Sequence, residues 1–311
     1  MKNPLFKFAA WFFEKGDARG AAALRIAYGL IYLYMLWDLY PTMDLVMGHS
    51  GVYGSLNPEA FNLNHPFNLL YRFDSPAELR VWFWLSVLFA FMTVFGLLTR
   101  LSVLLTFFSV MLFQVRGPYL IYGTDQVLAL CFFWLLFLAC GKRWSLDRLL
   151  IGKRRKASTE IELWPVKAIQ IQIALIYLLT GFIKFRTEEW LNGSAVYYAL
   201  HLRGFVWSGV EHLTTIQPLM VMMTYYSLLA EMSFPFLVFW KRTRFLALGA
   251  VFFMHLGIDL LMQIRFFSLS MYAGYLAFIQ PAEWEWLARK VSGFLRLTDG
   301  TDRSRDENCG L

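Results

Sequence analysis

Six ionisable side chains lie inside apolar stretches of this sequence: Arg25, Asp125, Lys184, Glu231, His255 and Asp259, with Gln170 and Gln172 as neutral polar companions. At membrane depth such a group costs about 2.5–3.5 kcal/mol to insert, so each needs a partner or a task. Lys184 and His255 are the best suited to acid–base work. An amine in apolar surroundings can act as a base, and an imidazole can take or give a proton. His255 and Asp259 are four residues apart and share a helix face. The expected site has Lys184 as base, His255 and Asp259 positioning it, and Asp125 tuning it. Structural roles stay open beside this one. Lys184 can reach for the membrane interface, Asp125 can cap a helix, Asp259 can pair with Arg265, and Arg25 with Glu231.

Other chemistries find little support. His49, His65, His201 and His212 fall in the two long segments expected outside the membrane, but none has a metal-ligand spacing, so no metal is expected. There is no Gly-x-Ser-x-Gly, no phosphate-binding loop and no dinucleotide fingerprint. Cys131, Cys140 and Cys309 form neither a disulfide framework nor a thiol redox motif.

The elements that must carry these residues follow from composition. The chain of 311 residues is 58% hydrophobic and 16% charged, against about 45–50% and about 25% in soluble domains. This implies an all-α, polytopic transmembrane helix bundle. Eight apolar runs are long enough to be spans: Ala21–Leu39, Val81–Leu98, Leu101–Val115, Val127–Cys140, Val166–Phe185, Pro218–Trp240, Phe245–Leu261 and Phe267–Ile279. Only Thr99 and Arg100 separate the second from the third, which implies a tight helical hairpin. The net charge of +7 reads as membrane orientation and not as nucleic-acid binding. If both termini are cytoplasmic, 21 of the 29 Lys and Arg residues fall on the cytoplasmic side and six outside.

Residues 1–20, aromatic and basic, read as an interfacial amphipathic helix, 21–284 as the membrane domain, and 285–311 as a cytoplasmic tail whose end is polar and disordered. Tyr40–Arg80 and Arg186–Gln217 are too long for simple connectors and are expected to pack on the extracytoplasmic face. On this depth scale Lys184, Asp125, Asp259 and His255 converge in the outer half of the bundle. Arg25, Gln170 and Glu231 belong to the inner half.

Three stretches carry a resemblance to a known family. GTDQVLAL followed by KRWSLDRLL (Gly123–Leu150) contains a Trp-Ser-Leu-Asp signature ending at Asp147. IQIQIALIYLLTGFIKFRTEEWLNGSAVYYAL (Ile169–Leu200) contains Gly-x-x-Lys and then Trp-x-x-Gly. LAEMSFPFLVFW and FFMHLGIDLLMQIRFFSLSMYAGYLAF fall within Leu229–Phe278. Together they resemble the HTTM domain, shared by vitamin K-dependent gamma-carboxylases and the bacterial sporulation-delaying protein B group, from about Arg25 to Trp284. In the carboxylases the lysine of Gly-x-x-Lys deprotonates vitamin K hydroquinone, and here that position is Lys184. The seventh-helix histidine is similar to His255. Where the carboxylases have a histidine at the start of the fourth helix, this chain has Asp125. It also has no counterpart of their large C-terminal region that binds the protein substrate, so a task other than glutamate carboxylation is expected.

The resemblance implies a bacterial inner-membrane protein acting on a reduced quinone of naphthoquinone type, with membrane lipid as its surroundings. Two alternatives stand beside this: a non-redox maturation factor for a secreted peptide or protein, and a scaffold subunit of a membrane complex.

Overall fold

The computed structural model describes residues 4–48, 75–116, 123–152, 158–264 and 266–298. A short helix α1 (Pro4–Phe12) leads into strand β1 (Lys15–Asp17), the long helix α2 (Arg19–Leu39) and the short α3 (Met43–Met47). Next come α4 (Pro76–Phe95), α5 (Thr99–Arg116), α6 (Gly123–Leu136), α7 (Leu146–Gly152), strand β2 (Glu160–Glu162) and α8 (Trp164–Phe185). After α9 (Glu188–Leu191) and α10 (Ala195–Ala199) follow α11 (Gln217–Leu237), α12 (Arg244–Leu261), α13 (Phe267–Tyr275) and α14 (Pro281–Thr298).

Each apolar run is a helix, but most helices start a few residues before the run that marks them. A side-chain cap explains the early start of one of them, α4, while α2, α8, α11 and α12 start without such a cap. At α4 the Ser75 hydroxyl accepts from the Glu78 N–H at 3.2 Å, and Glu78 Oε2 accepts from the Ser75 N–H at 3.1 Å, with Pro76 opening the helix. Such a reciprocal cap satisfies two of the helix's free N–H groups before any apolar residue is needed. The last run is shorter than expected: α13 has nine residues and closes in a 3-10 turn, Leu276–Phe278.

Among the described residues, four helical stretches are long and apolar enough to cross a membrane: Arg19–Met47, Pro76–Phe95, Trp164–Phe185 and Arg244–Leu261. Their outer faces leave Trp84, Leu88, Leu179, Ile183, Leu246 and Phe253 exposed. A water-soluble monomer rarely exposes apolar surface on that scale. The chain is an all-α membrane protein.

The amino-terminal segment departs from a single helix over 1–20. α1 stops at Phe12, and β1 pairs antiparallel with β2, Lys15 facing Glu162 and Asp17 facing Glu160. This ribbon ties the start of α2 to the start of α8 and marks one end of the bundle. The α4–α5 turn, the α6–α7 junction and the first turns of α14 gather at the same end. Trp284 lies against Gly20 and stacks edge-on to Trp144, and Arg244 pairs with Glu283. At the far end Gln114 Nε2 donates to the Asp125 carbonyl at 2.6 Å, and the Gln263 N–H donates to the Phe205 carbonyl at 2.7 Å. The main helices therefore run alternately between the two ends.

Arg25 closes the ribbon end. It is fully buried, with its guanidinium donating to the carbonyls of Cys140 (2.7 Å), Val94 (3.3 Å) and Trp144. Val94 lies in the last turn of α4, where carbonyls lose their helical donors, and Cys140 and Trp144 lie in the junction between α6 and α7. Gly96 follows at φ 67°, and a Cβ there would sit 2.6 Å from Arg25 Nη1. Asp147 completes the arrangement: Oδ1 accepts from the Leu98 N–H at 2.8 Å, and Oδ2 from the N–H and hydroxyl of Thr99 at 2.7 Å each. A carboxylate from 48 residues away thus caps the start of α5. The expected pairing of Arg25 with Glu231 does not occur, because backbone carbonyls take all the Arg25 hydrogen bonds that form.

Beyond the helical spans, α14 carries helix through Thr298, so the tail begins as ordered structure; residues 299–311 lie outside the described residues. The segment Arg186–Gln217 forms α9, α10 and a 3-10 turn, Val210–Thr215. Most of Tyr40–Arg80, including His49 and His65, lies outside the described residues.

Candidate functional site

Lys184 sits in the last turn of α8, where the helix dipole favours a cation. One turn earlier, a Cβ on Gly181 would lie 2.7 Å from Met232 Sδ, so the glycine lets α8 and α11 approach closely. That approach brings Ser227 and Glu231, four residues apart on α11, onto the lysine. Lys184 Nζ donates to Glu231 Oε1 at 2.7 Å and to Ser227 Oγ at 3.2 Å. The Trp190 ring from α9 covers the ammonium at 4.2 Å, and Ser227 Oγ lies 3.4 Å from Met254 Sδ on α12. The lysine side chain keeps 22% of its surface exposed and the glutamate 7%, so the pair is accessible only from the lysine side.

A second polar group lies along the same seam of α8, α11 and α12. Tyr177 precedes Lys184 by two helical turns, about 10 Å along the axis, and its ring packs on Phe234 of α11 at 4.5 Å. Its hydroxyl lies 2.9 Å from His255 Nε2 and 2.5 Å from the Tyr275 hydroxyl. His255 is 1% exposed, and its Nδ1 has no hydrogen-bond partner among the described residues. Glu231 Oε2 is likewise buried without one. One turn beyond His255, Asp259 Oδ2 accepts from the Tyr272 hydroxyl at 3.3 Å. Tyr272 and Tyr275 share a face of α13, their rings T-shaped at 6.0 Å. Residue Arg265, the expected partner of Asp259, lies outside the described residues.

The structure thus gathers Lys184, His255 and Asp259 on one seam and sets Asp125 elsewhere. Asp125 lies in the first turn of α6 and lines a cavity of about 250 Å³ with Tyr32, Asp38, Gln114 and Phe266, between α2, α5 and α6. Gln170 donates to the Ala277 carbonyl at 2.6 Å, and Gln172 accepts from the Trp134 indole at 2.6 Å, so both glutamines pin neighbouring elements. His201 Nδ1 lies 2.7 Å from the Tyr197 carbonyl, a contact local to its own turn.

Two parts of the site went unread in the sequence. The sequence places Glu231 in the half of the bundle opposite Lys184, yet it meets Lys184 at the end of α8 remote from the ribbon. The depth scale fails there because α11 starts well beyond that end. Its first turns pack against α9 and α10, where the Val196 N–H donates to Thr224 Oγ1 at 3.1 Å and Gly193 faces Val221. The tyrosines carried only a weak signal: Tyr177 is seven residues before Lys184 and so shares its face.

Against known proteins, the model of one family, the HTTM domain, matches residues 13–284. No solved structure matches the chain.

Proposed function

Because the chain belongs to the HTTM domain family, we propose that it binds a lipid-soluble O–H acid of the reduced naphthoquinone class and removes its proton at Lys184. The topology in this reading is eight spans in the bacterial inner membrane, with both termini cytoplasmic and the Lys184 end outside. The alternation of helices between two ends and the excess of Lys and Arg at the ribbon end support it.

The observation that carries the reading is the 2.7 Å contact between Lys184 and Glu231. While both groups are ionised the ammonium has no lone pair. It becomes a base only when its proton passes to Glu231. The direct contact with Glu231 Oε1 gives that proton a path to the carboxylate. The free amine then takes the proton of the ligand hydroxyl and returns to the ammonium beside the anion it has made. Trp190 over Nζ gives a flat aromatic surface on which a ring can stack. Lys184 is the base, Glu231 holds its proton, and Ser227 orients the amine.

The test is oxygen uptake by the purified protein in nanodiscs supplied with reduced naphthoquinones. Uptake is expected in the wild type and a fall of about 10²–10⁴-fold in Lys184→Met. Equal uptake in the two proteins, or none with any quinol, ends this reading.

A second reading, maturation of a secreted peptide or protein, is favoured by one feature. Tyr197, Tyr198, Phe205 and Trp207 are exposed on the segment between α9 and α11. Photocrosslinking from Trp207 to a co-expressed exported polypeptide tests it, and capture only of lipid argues against it.

A further inference from the structure

The Lys184–Glu231 pair has a return problem. A proton taken from a ligand in a seam this enclosed must leave before the next turnover, and Glu231 is almost fully buried. The way out is written in the neighbouring side chains. Tyr177 touches two partners at once, His255 Nε2 at 2.9 Å and the Tyr275 hydroxyl at 2.5 Å, and Glu231 lies one turn before Phe234, whose ring packs on that of Tyr177 at 4.5 Å. A tyrosine hydroxyl donates one hydrogen bond while accepting others, so a hydroxyl shared in this way can receive a proton on one side and give its own on the other. Buried polar side chains with no partner cost free energy unless something completes them. Two of the buried atoms that have no partner among the described residues, Glu231 Oε2 and His255 Nδ1, stand at the beginning and end of this line.

We propose that Tyr275, Tyr177 and His255 form a proton relay that clears the Lys184–Glu231 pair toward Asp259. This rests on the acid–base reading given above. In the starting state the Tyr275 hydroxyl donates to Tyr177, Tyr177 donates to Nε2, and the imidazole carries its proton on Nδ1. A proton from Glu231 then enters at Tyr275. Tyr275 passes its own to Tyr177, Tyr177 passes its own to Nε2, and the imidazole releases the Nδ1 proton toward Asp259. At every step one O–H or N–H bond breaks as the next forms, and no electron moves. The relay takes up its proton at Glu231 Oε2 and gives it up at His255 Nδ1, two atoms buried without a partner among the described residues. Asp259 is the exit because it is only partly buried, lies one turn from His255, and is already bonded to Tyr272. The groups facing His255 are Tyr177 on α8, Tyr272 on α13 and Lys184 through its charge, with Tyr275 bonded to Tyr177 behind them and Asp259 on its own helix. Tyr177, Tyr272 and Tyr275 are relay and positioning residues, and His255 is the group whose protonation site changes.

The experiment is ¹⁵N NMR of the full chain, labelled at histidine and held in nanodiscs, with His255→Asn assigning the His255 signals. Tyr275 acts on His255 through Tyr177, so Tyr275→Phe is the informative variant. The wild type is expected to show a mixture of the two imidazole tautomers, and Tyr275→Phe to shift it strongly toward one. Tyr177→Phe is expected to do the same, and Tyr275→Phe keeps the test decisive where Tyr177→Phe does not fold. Identical His255 shifts in wild type and Tyr275→Phe overturn the relay. In the oxygen-uptake assay Tyr275→Phe and Asp259→Asn are expected to slow turnover at least tenfold and to raise the solvent isotope effect. Unchanged rates in both also overturn it. If the wild type takes up no oxygen with any quinol, the acid–base reading falls, and the tautomer measurement alone decides the relay.

Discussion

The two ends of the bundle each hold a cation, one fully buried and one partly exposed, and they hold it in opposite ways. At the ribbon end Arg25 is bound by the carbonyls of Val94, Cys140 and Trp144, and Asp147 is bound largely by backbone N–H groups. At the seam Lys184 is bound by side chains alone: Glu231, Ser227 and Trp190. Backbone partners move only if helices move, so Arg25 has one arrangement and one charge. Side-chain partners can rotate and can exchange protons. Burial of charge therefore does not by itself mark a chemical site; the mobility and proton chemistry of its partners do.

The sharpest way to break this comparison is Arg25→Met. Three backbone carbonyls lose their donor, and hydrogen bonds to a charged group are worth about 1.5–3 kcal/mol each. The variant is expected to lose its fold, seen as failure to give a monodisperse peak in detergent. A stable Arg25→Met protein would show that the ribbon end is not a lock. Next in size is Glu231→Gln, which keeps the shape of the seam but removes the proton holder. Its thermal midpoint is expected within a few degrees of wild type while quinol-dependent oxygen uptake falls at least tenfold. A large loss of stability with retained turnover would make Glu231 a structural partner of Lys184. The smallest effect is expected from Asp147→Ala, which removes the cap of α5 and costs about 0.5–2 kcal/mol. Thermal unfolding should shift down while the turnover of the folded fraction stays unchanged. A specific loss of turnover would join the two ends that the comparison separates.

Much of the fold could be read directly. The apolar runs located the helices, because a helix facing lipid must be apolar on its outer face as well as its inner one. The hairpin between α4 and α5 was legible from the polar pair Thr99 and Arg100, but the pair opens α5 and the turn itself falls at residues 96–98, inside the apolar run. Depth along the bundle was harder to read. Counting residues from the end of each run assumes that all helices start at one level, and α11 does not. That single offset separated Glu231 from Lys184 on paper and joined Glu231 to Arg25 instead. The role of Asp147 was equally hidden, because its partners, Leu98 and Thr99, are brought to it only by the turn at Gly96.

The sequence by itself determined that this is a helical membrane protein, which residues are too polar for their surroundings, and that Lys184 lies near the end of its helix. These are properties of local composition and period, and they survive any arrangement of the helices. The tertiary structure decided the partners. It gave Lys184 to Glu231, Arg25 to three carbonyls, His255 to Tyr177, and Asp125 to a cavity apart from the seam. Hydrogen bonds and ion pairs act over about 3 Å, and contacts that short between helices are fixed by packing details such as the glycine at position 181, which periodicity does not contain.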